Sequence, residues 1–254
     1  MHVVPIPALA DNYIWLLHDG HGSALAVDPG ESAPVEAALA ASGLTLRAIL
    51  LTHHHPDHIG GAATLRESHG VPVYAPVDER IGVAAQRVGD GDTVTLQSPA
   101  ARFRVIAIPG HTSSHVAYVG EGVLLCGDTL FSLGCGRMFE GTPAQMLASL
   151  DRLAALPGDT QVCCGHEYTV ANGRFACTIE PGNAALAARV QQVAELRAAN
   201  RPSVPSTLAD ELAANPFLRV DSHAVIDWCR HHGASADDRT ARFAALRGTK
   251  DTFG

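Results

Sequence analysis

The sequence lacks any apolar run near the roughly 18 to 20 residues that a membrane-spanning helix requires, and it contains no internal repeat or low-complexity segment. It is short of charge (17% Asp, Glu, Lys and Arg), and what charge it has is unbalanced, at −8 net. That balance argues against a general nucleic-acid binder, and no membrane partner is expected. An anionic substrate would therefore have to meet a local basic patch. The six cysteines lack the paired spacing of a zinc knuckle. Adjacent Cys163 and Cys164 lie in a strand-like apolar run and read as buried thiols, and free cysteines fit a reducing cytoplasm. The first residues, Met1-His2-Val3-Val4-Pro5, lack the charged-then-apolar layout of a secretion signal, so an intracellular chain is expected.

What is present is 254 residues, 46% of them hydrophobic, enough for one large domain or a medium domain with an appendage. Period-2 and apolar runs predict strands at 13–17, 24–27, 46–51, 71–74, 92–96 and 103–108. A hairpin is predicted at 115–119 and 123–126, and a further strand at 161–164. Helices are predicted at 34–42 and 61–69, the second closed by Gly70. A third opens at Thr142-Pro143 and stops near Pro157-Gly158. Beyond about Asn172 the texture turns Ala-, Arg- and Glu-rich, with helical periodicity at 183–199, 206–213, 222–231 and 237–246. This places a domain boundary between residues 172 and 173, a catalytic domain at 1–172 and a helical one at 173–254.

The chemistry concentrates in Thr52-His53-His54-His55-Pro56-Asp57-His58, directly after the apolar run 48–51. In extended chain alternate side chains share a face, so His53 and His55 point one way and His54 the other. Asp57 and His58 fall where the chain bends toward a helix and can reach a second point. One stretch can thus serve two ions. His111, Asp128 and His166 each follow a strand-like run as His53 does, and in layered α/β folds such loops gather along one sheet edge. The candidate ligands are His53, His55 and His111 for one ion and Asp57, His58 and His166 for the other, with Asp128 between them. Imidazoles suit zinc and iron, and the mixed nitrogen and oxygen set does not exclude manganese. A carboxylate can hold two ions roughly 3.5 to 4 Å apart with solvent between them, which ionises near neutral pH.

A lone histidine after a strand is commonly a surface or hydrogen-bonded residue, and that reading is kept for His18, His21, His69, His223, His231 and His232. His115, four residues past His111, reads equally as packing or as a group that orients a ligand. Asp28 in Asp28-Pro29-Gly30 reads as a turn residue, with an orienting role as the alternative.

The Thr-His-x-His-x-Asp-His stretch, with His111, Asp128 and His166 in that order, resembles the metallo-β-lactamase superfamily. The resemblance implies an α/β fold, an αββα four-layer sandwich with a dinuclear site at one edge, joined here to a small all-helical C-terminal domain. Four further stretches are similar to glyoxalase II, the hydroxyacylglutathione hydrolases: 134–142, 164–169, 215–219 and 247–251. That resemblance implies a glutathione thioester as substrate, two divalent metals with zinc first and iron or manganese as alternatives, and a cytoplasmic monomer. It assigns Asp57 and Asp128 to catalysis and Arg247 with Lys250 to the glycine carboxylate. Arg137 would contact the glutathione moiety, and Tyr168 would hydrogen-bond the bound thioester. Phe139 stands where some members carry tyrosine, so only packing is expected of it. The rival reading within the superfamily is a glutathione persulfide dioxygenase with a single iron.

Overall fold

A computed structural model describes residues 1–83 and 85–253. The chain folds into two compact units that do not follow chain order. Unit 1 comprises Met1–Ala107, Ser114–Gly127 and Cys163–His166; unit 2 comprises Ile108–Ser113, Asp128–Val162 and the chain from Glu167 on.

In unit 1 the first sheet contains β1 (His2–Ala8), β2 (Asn12–His18), β3 (Ser23–Val27), β4 (Thr45–Leu50), β5 (Val73–Pro76) and β6 (Gln86–Val88), in that spatial order. The β1–β2 and β2–β3 pairs are antiparallel and the rest parallel. Parallel neighbours need crossovers. Helix α1 (Ala33–Ser42) supplies the one from β3 to β4, and the single turn α2 (Pro56–Ile59) with α3 (Ala62–His69) supplies the next. One core joins Ile14, Leu16, Ala26 and Ile49 of the sheet to Val35 and Leu39 of α1 and Ala62 and Leu65 of α3. Trp15 and Leu17 alternate to the other face and are buried as well. Burial on both faces explains why β2 reads as an apolar run and not as an alternating one. Each fully buried large side chain there contributes about 1.5–3 kcal/mol.

The second sheet of unit 1 is an antiparallel meander of β7 (Thr93–Gln97), β8 (Ala100–Ala107), β9 (Val116–Gly120) and β10 (Val123–Gly127). Tyr118 on β9 reaches across to the first sheet, donating to the Leu51 carbonyl at 2.9 Å. The two sheets therefore face one another. Strand β1 escapes sequence reading because Pro5 and Pro7 interrupt its pattern. An edge strand tolerates prolines that a central one would not.

Unit 2 holds the short hairpin β11 (Leu130–Phe131) and β12 (Gly134–Cys135), then α4 (Pro143–Ala154), capped by a reciprocal Thr142/Gln145 box. Strand β13 (Gln161–Cys164) pairs its first two residues with β14 (Ser206–Thr207), and its last two belong to unit 1. Helices α5 (Thr169–Ile179), α6 (Ala184–Ala198), α7 (Leu208–Ala214), α8 (His223–His231) and α9 (Arg239–Thr252) make up the remainder.

Two helices differ from the sequence-based expectation. The 172/173 boundary falls inside α5, whose Thr, Val, Asn and Gly residues give it weak propensity; tertiary packing, with Gly173 close to Val190 of α6, makes it a helix. α9 runs to Thr252, past the predicted end at 246, because the last apolar residue of its stripe does not end its hydrogen bonding.

A buried polar network fixes the β11–β12 hairpin. Glu211 accepts from the Leu133 N–H at 2.7 Å, and Asn215 Nδ2 donates to the carbonyls of Phe131 and Gly134 at 3.1 and 3.0 Å. Leu133 sits at φ +58°, in the left-handed region, so its conformation depends on that support.

Candidate metal centre and substrate end

In unit 1, β4 ends at Leu50, the chain bends at His53, and His55 is extended (φ −61°, ψ 141°). His53 Nε2 lies 3.2 Å from His55 Nδ1. Pro56 then opens α2, whose single turn swings Asp57 and His58 to a different point. Asp57 Oδ2 lies 3.5 Å from His58 Nε2 and 3.4 Å from His166 Nε2. Asp57, His58 and His166 thus offer three donor atoms within 4.8 Å of one another. His166 arrives from the end of β13, tied to the start of β2 by the Asn12–His166 bridge.

The opposite ring nitrogens explain why these imidazoles suit a cation. His166 Nδ1 lies 2.8 Å from Asp11 Oδ1, and His58 Nδ1 lies 3.1 Å from Asp28 Oδ2. A carboxylate there selects the Nδ1–H tautomer and leaves Nε2 as a lone-pair donor. For His53 the relay is one step longer. Thr52 Oγ1 donates its only proton to Asp28 Oδ2 at 2.6 Å, so at 3.0 Å it accepts from His53 Nδ1–H. Asn12 Nδ2 donates to Asp57 Oδ2 at 2.9 Å and orients that carboxylate.

Asp28 is therefore more than a turn residue. Its backbone is left-handed at φ +50°, its Oδ1 accepts from the Thr52 N–H at 2.8 Å, and its Oδ2 serves both Thr52 and His58. The turn approaches the metal loop so closely that a Cβ on Gly30 would lie 2.0 Å from the Asp57 carbonyl oxygen, which only glycine avoids. His115 stacks on His53, ring centroids 4.5 Å apart, and so packs against a candidate ligand. His54 turns toward Asp78, 3.5 Å away. Arg80 grips Asp78 through Nε and Nη2 and holds its carboxyl well below the usual carboxylate range, so Asp78 stays an anion.

In unit 2, His111 Nε2 lies 3.5 Å from Asp128 Oδ2, and its Nδ1 is 2.8 Å from the Arg137 carbonyl oxygen, which again leaves Nε2 as the donor atom. Both residues are buried. Gly136 allows the approach: a Cβ there would lie 1.8 Å from the Asp128 carbonyl oxygen. Phe139 is exposed and meets the His111 ring edge-on at 5.3 Å. Tyr168, at the start of α5, meets Phe131 edge-on at 5.3 Å.

The last turns of α9 gather the basic groups. Arg247 is buried, its guanidinium 5.4 Å above the Phe217 ring, with Nη1 donating to the Cys135 carbonyl at 2.7 Å. Its Nη2 donates to Asp251 Oδ1 at 2.9 Å. Arg137, largely exposed, brings Nε to 3.4 Å from the same Asp251 oxygen. Lys250 Nζ sits 5.9 Å from the ring centres of Phe175 and Phe253. Burial, then the neighbouring Arg247 and Arg137, lowers the Lys250 pKa. Burial pushes the Cys135 thiol up to about 11, so it stays neutral beside Arg247.

Sequence reading missed Asp11, Asn12, Thr52 and Asp251. Asp11-Asn12 reads as turn chemistry and Asp251 as a solvated helix end; folding sets Asp11 beside His166 and Asp251 beside Arg247.

The sheets and the histidine–aspartate centre define a metallo-β-lactamase fold, and residues 10–166 match the model of the metallo-β-lactamase superfamily. Residues 167–253 match the model described as the hydroxyacylglutathione hydrolase C-terminus. A hydroxyacylglutathione hydrolase of Cupriavidus taiwanensis is 56% identical, over 100% of this chain and 99% of the relative. The chain belongs to the hydroxyacylglutathione hydrolase family, thioester-cleaving members of that superfamily. Among solved structures, ETHE1 from Myxococcus xanthus superposes at TM-score 0.66 with 25% identity, covering 100% of this chain and 96% of that one. TTHA1623, solved in a di-iron-bound form, gives TM-score 0.55 and 31% identity over 65% of this chain and 92% of its own.

Proposed function

We propose that the chain hydrolyses S-(2-hydroxyacyl)glutathiones, with S-D-lactoylglutathione as the type substrate, to a 2-hydroxy acid and free glutathione. This is the thioester step of methylglyoxal detoxification, carried out by a cytoplasmic monomer. The observation that carries the reading is the convergence of Asp57, His58 and His166, each imidazole with its far nitrogen already held by a carboxylate.

Two divalent ions are proposed, zinc first, with iron or manganese acceptable to the same donors. His53, His55 and His111 would hold one, Asp57, His58 and His166 the other, and Asp128 would serve both. The di-iron form of TTHA1623 supports room for two in such a fold. When bound, the ions supply Lewis acidity, polarising the thioester carbonyl and lowering the pKa of solvent held between them. Asp57 would orient solvent at the site by accepting its hydrogen bond. Asn12 and Asp28 keep the carboxylate and His58 in place. Glutathione departs as a thiolate, and a thiol pKa of roughly 8.5 makes strong acid assistance unnecessary. No serine or cysteine nucleophile is required.

The helical region 173–254 is proposed as the substrate-binding part, with Arg247 and Lys250 taking the glycine carboxylate. Arg137, Tyr168 and Phe139 would line the thioester end. The test is hydrolysis of S-D-lactoylglutathione by metal-loaded protein, with parallel metal analysis and oxygen uptake. Thioester cleavage without oxygen uptake supports the hydrolase. Oxygen consumption with glutathione persulfide and a single iron would support the dioxygenase instead.

A further inference from the structure

The basic cluster proposed for the glycine carboxylate already holds a carboxylate of its own. Asp251 Oδ1 is 2.9 Å from Arg247 Nη2 and 3.4 Å from Arg137 Nε, and the Asp251 carbonyl accepts from Arg137 Nη2 at 3.2 Å. Its position gives α9 little in return. An acid in the last turn of a helix opposes the macrodipole, and an Arg-then-Asp pair at i,i+4 is the weaker orientation. The side chain is partly exposed (39%), so it can be approached and displaced, whereas Arg247 beneath it is buried (5%).

We propose that Asp251 is a specificity- and release-determining residue: an internal carboxylate that competes with the substrate's glycine carboxylate for Arg137 and Arg247. The inference rests on the glutathione reading above. Arg137, Arg247 and Lys250 together carry three positive charges, and Asp251 removes one. The remaining charge still attracts a carboxylate but does not trap it. Glutathione carries the same glycine carboxylate as the thioester, so whatever weakens substrate binding there also speeds product departure. Cys135 cannot substitute as the counter-charge, because burial keeps its thiol neutral.

The experiment compares parent, Asp251→Asn and Asp251→Glu, fully metal-loaded. It measures KM and kcat for S-D-lactoylglutathione and the inhibition constant of free glutathione at two ionic strengths. Asp251→Asn keeps an oxygen acceptor for Arg247 and removes only the charge. It is expected to lower both KM and the glutathione inhibition constant about two- to fivefold, the range of a partly exposed ion pair, and to steepen their salt dependence. Asp251→Glu should stay near the parent. A γ-glutamylcysteine thioester, which lacks the glycine, should show no difference between parent and Asp251→Asn. Unchanged or raised KM and inhibition constant in folded Asp251→Asn would overturn the proposal. So would an equal gain with the glycine-free substrate. If the parent itself fails to hydrolyse either thioester, the functional reading fails, and that result is distinct from both.

Discussion

Asp28 Oδ2 lies 3.1 Å from Nδ1 of His58, on the side of the ring away from Asp57 and His166. The same oxygen accepts from Thr52 Oγ1, which in turn accepts from His53. One buried carboxylate in a left-handed turn therefore fixes the tautomers of two candidate ligands.

Asp28→Asn tests that role. Asparagine tolerates the positive φ but presents a single oxygen and no charge. Metal affinity is expected to fall about 10- to 100-fold, as for other groups that orient ligating histidines. Metal retained against graded chelator measures it; parent-like retention would leave Asp28 as a turn residue.

Phe139→Tyr addresses the proposed substrate-lining position where some family members carry a hydroxyl and this chain does not. The side chain is exposed, so the fold should be indifferent to the change. One added hydrogen bond contributes about 0.5–1.5 kcal/mol, hence a KM about two- to tenfold lower. An unchanged KM with unchanged kcat would place residue 139 outside hydrogen-bonding reach of the substrate.

Lys250 predicts an alkaline limb. Burial and the neighbouring arginines lower its pKa below the ordinary 10.5. The proposed contact with the glycine carboxylate needs the charged form, so KM should be low below that depressed pKa and climb as pH rises through it. Lys250→Arg should remove the climb, because arginine does not titrate in this range. A climb that persists in Lys250→Arg would assign it to another group.

Glu211 predicts a pH-dependent stability. Burial raises its pKa above the ordinary 4.5, against the hydrogen bonds from the Leu133 N–H and Asn215 Nδ2. The folded state thus binds the proton more tightly than the unfolded chain. This contribution is fully present below about 4.5 and is lost as pH rises through the folded-state value. Glu211→Gln should flatten the fall of the melting temperature with pH. Glu211→Ala should cost about 1–3 kcal/mol at any pH by stranding the Leu133 N–H.

Much of the fold was legible. Turn residues and apolar runs located β2 to β5 and β7 to β10 to within a few residues, while the three-residue β6 was missed, and the Thr142 cap located α4. The histidine stretch was legible from its density of donors, and the structure sets His53 beside His55 and His54 beside Asp78, although a bend at His53 interrupts the extended chain assumed for it. Strand β1 was hidden by prolines that only an edge strand accepts, and α5 by weak local propensity overridden by packing. The orienting residues Asp11 and Asn12 were illegible as such, and Asp28 carried that role only as the alternative to a turn. Short polar residues at turns look alike until folding sets a histidine nitrogen beside one of them. Asp251 was illegible because an acid in the last turn of a helix looks solvated until folding sets Arg247 and Arg137 beside it.

The most direct test counts metal. Purified protein loaded with zinc and freed of excess should carry two ions per chain, and Asp128→Ala should lose metal together with nearly all S-D-lactoylglutathione hydrolysis. One ion per chain in a fully active parent, or an Asp128→Ala variant that keeps two ions and normal turnover, would contradict the account.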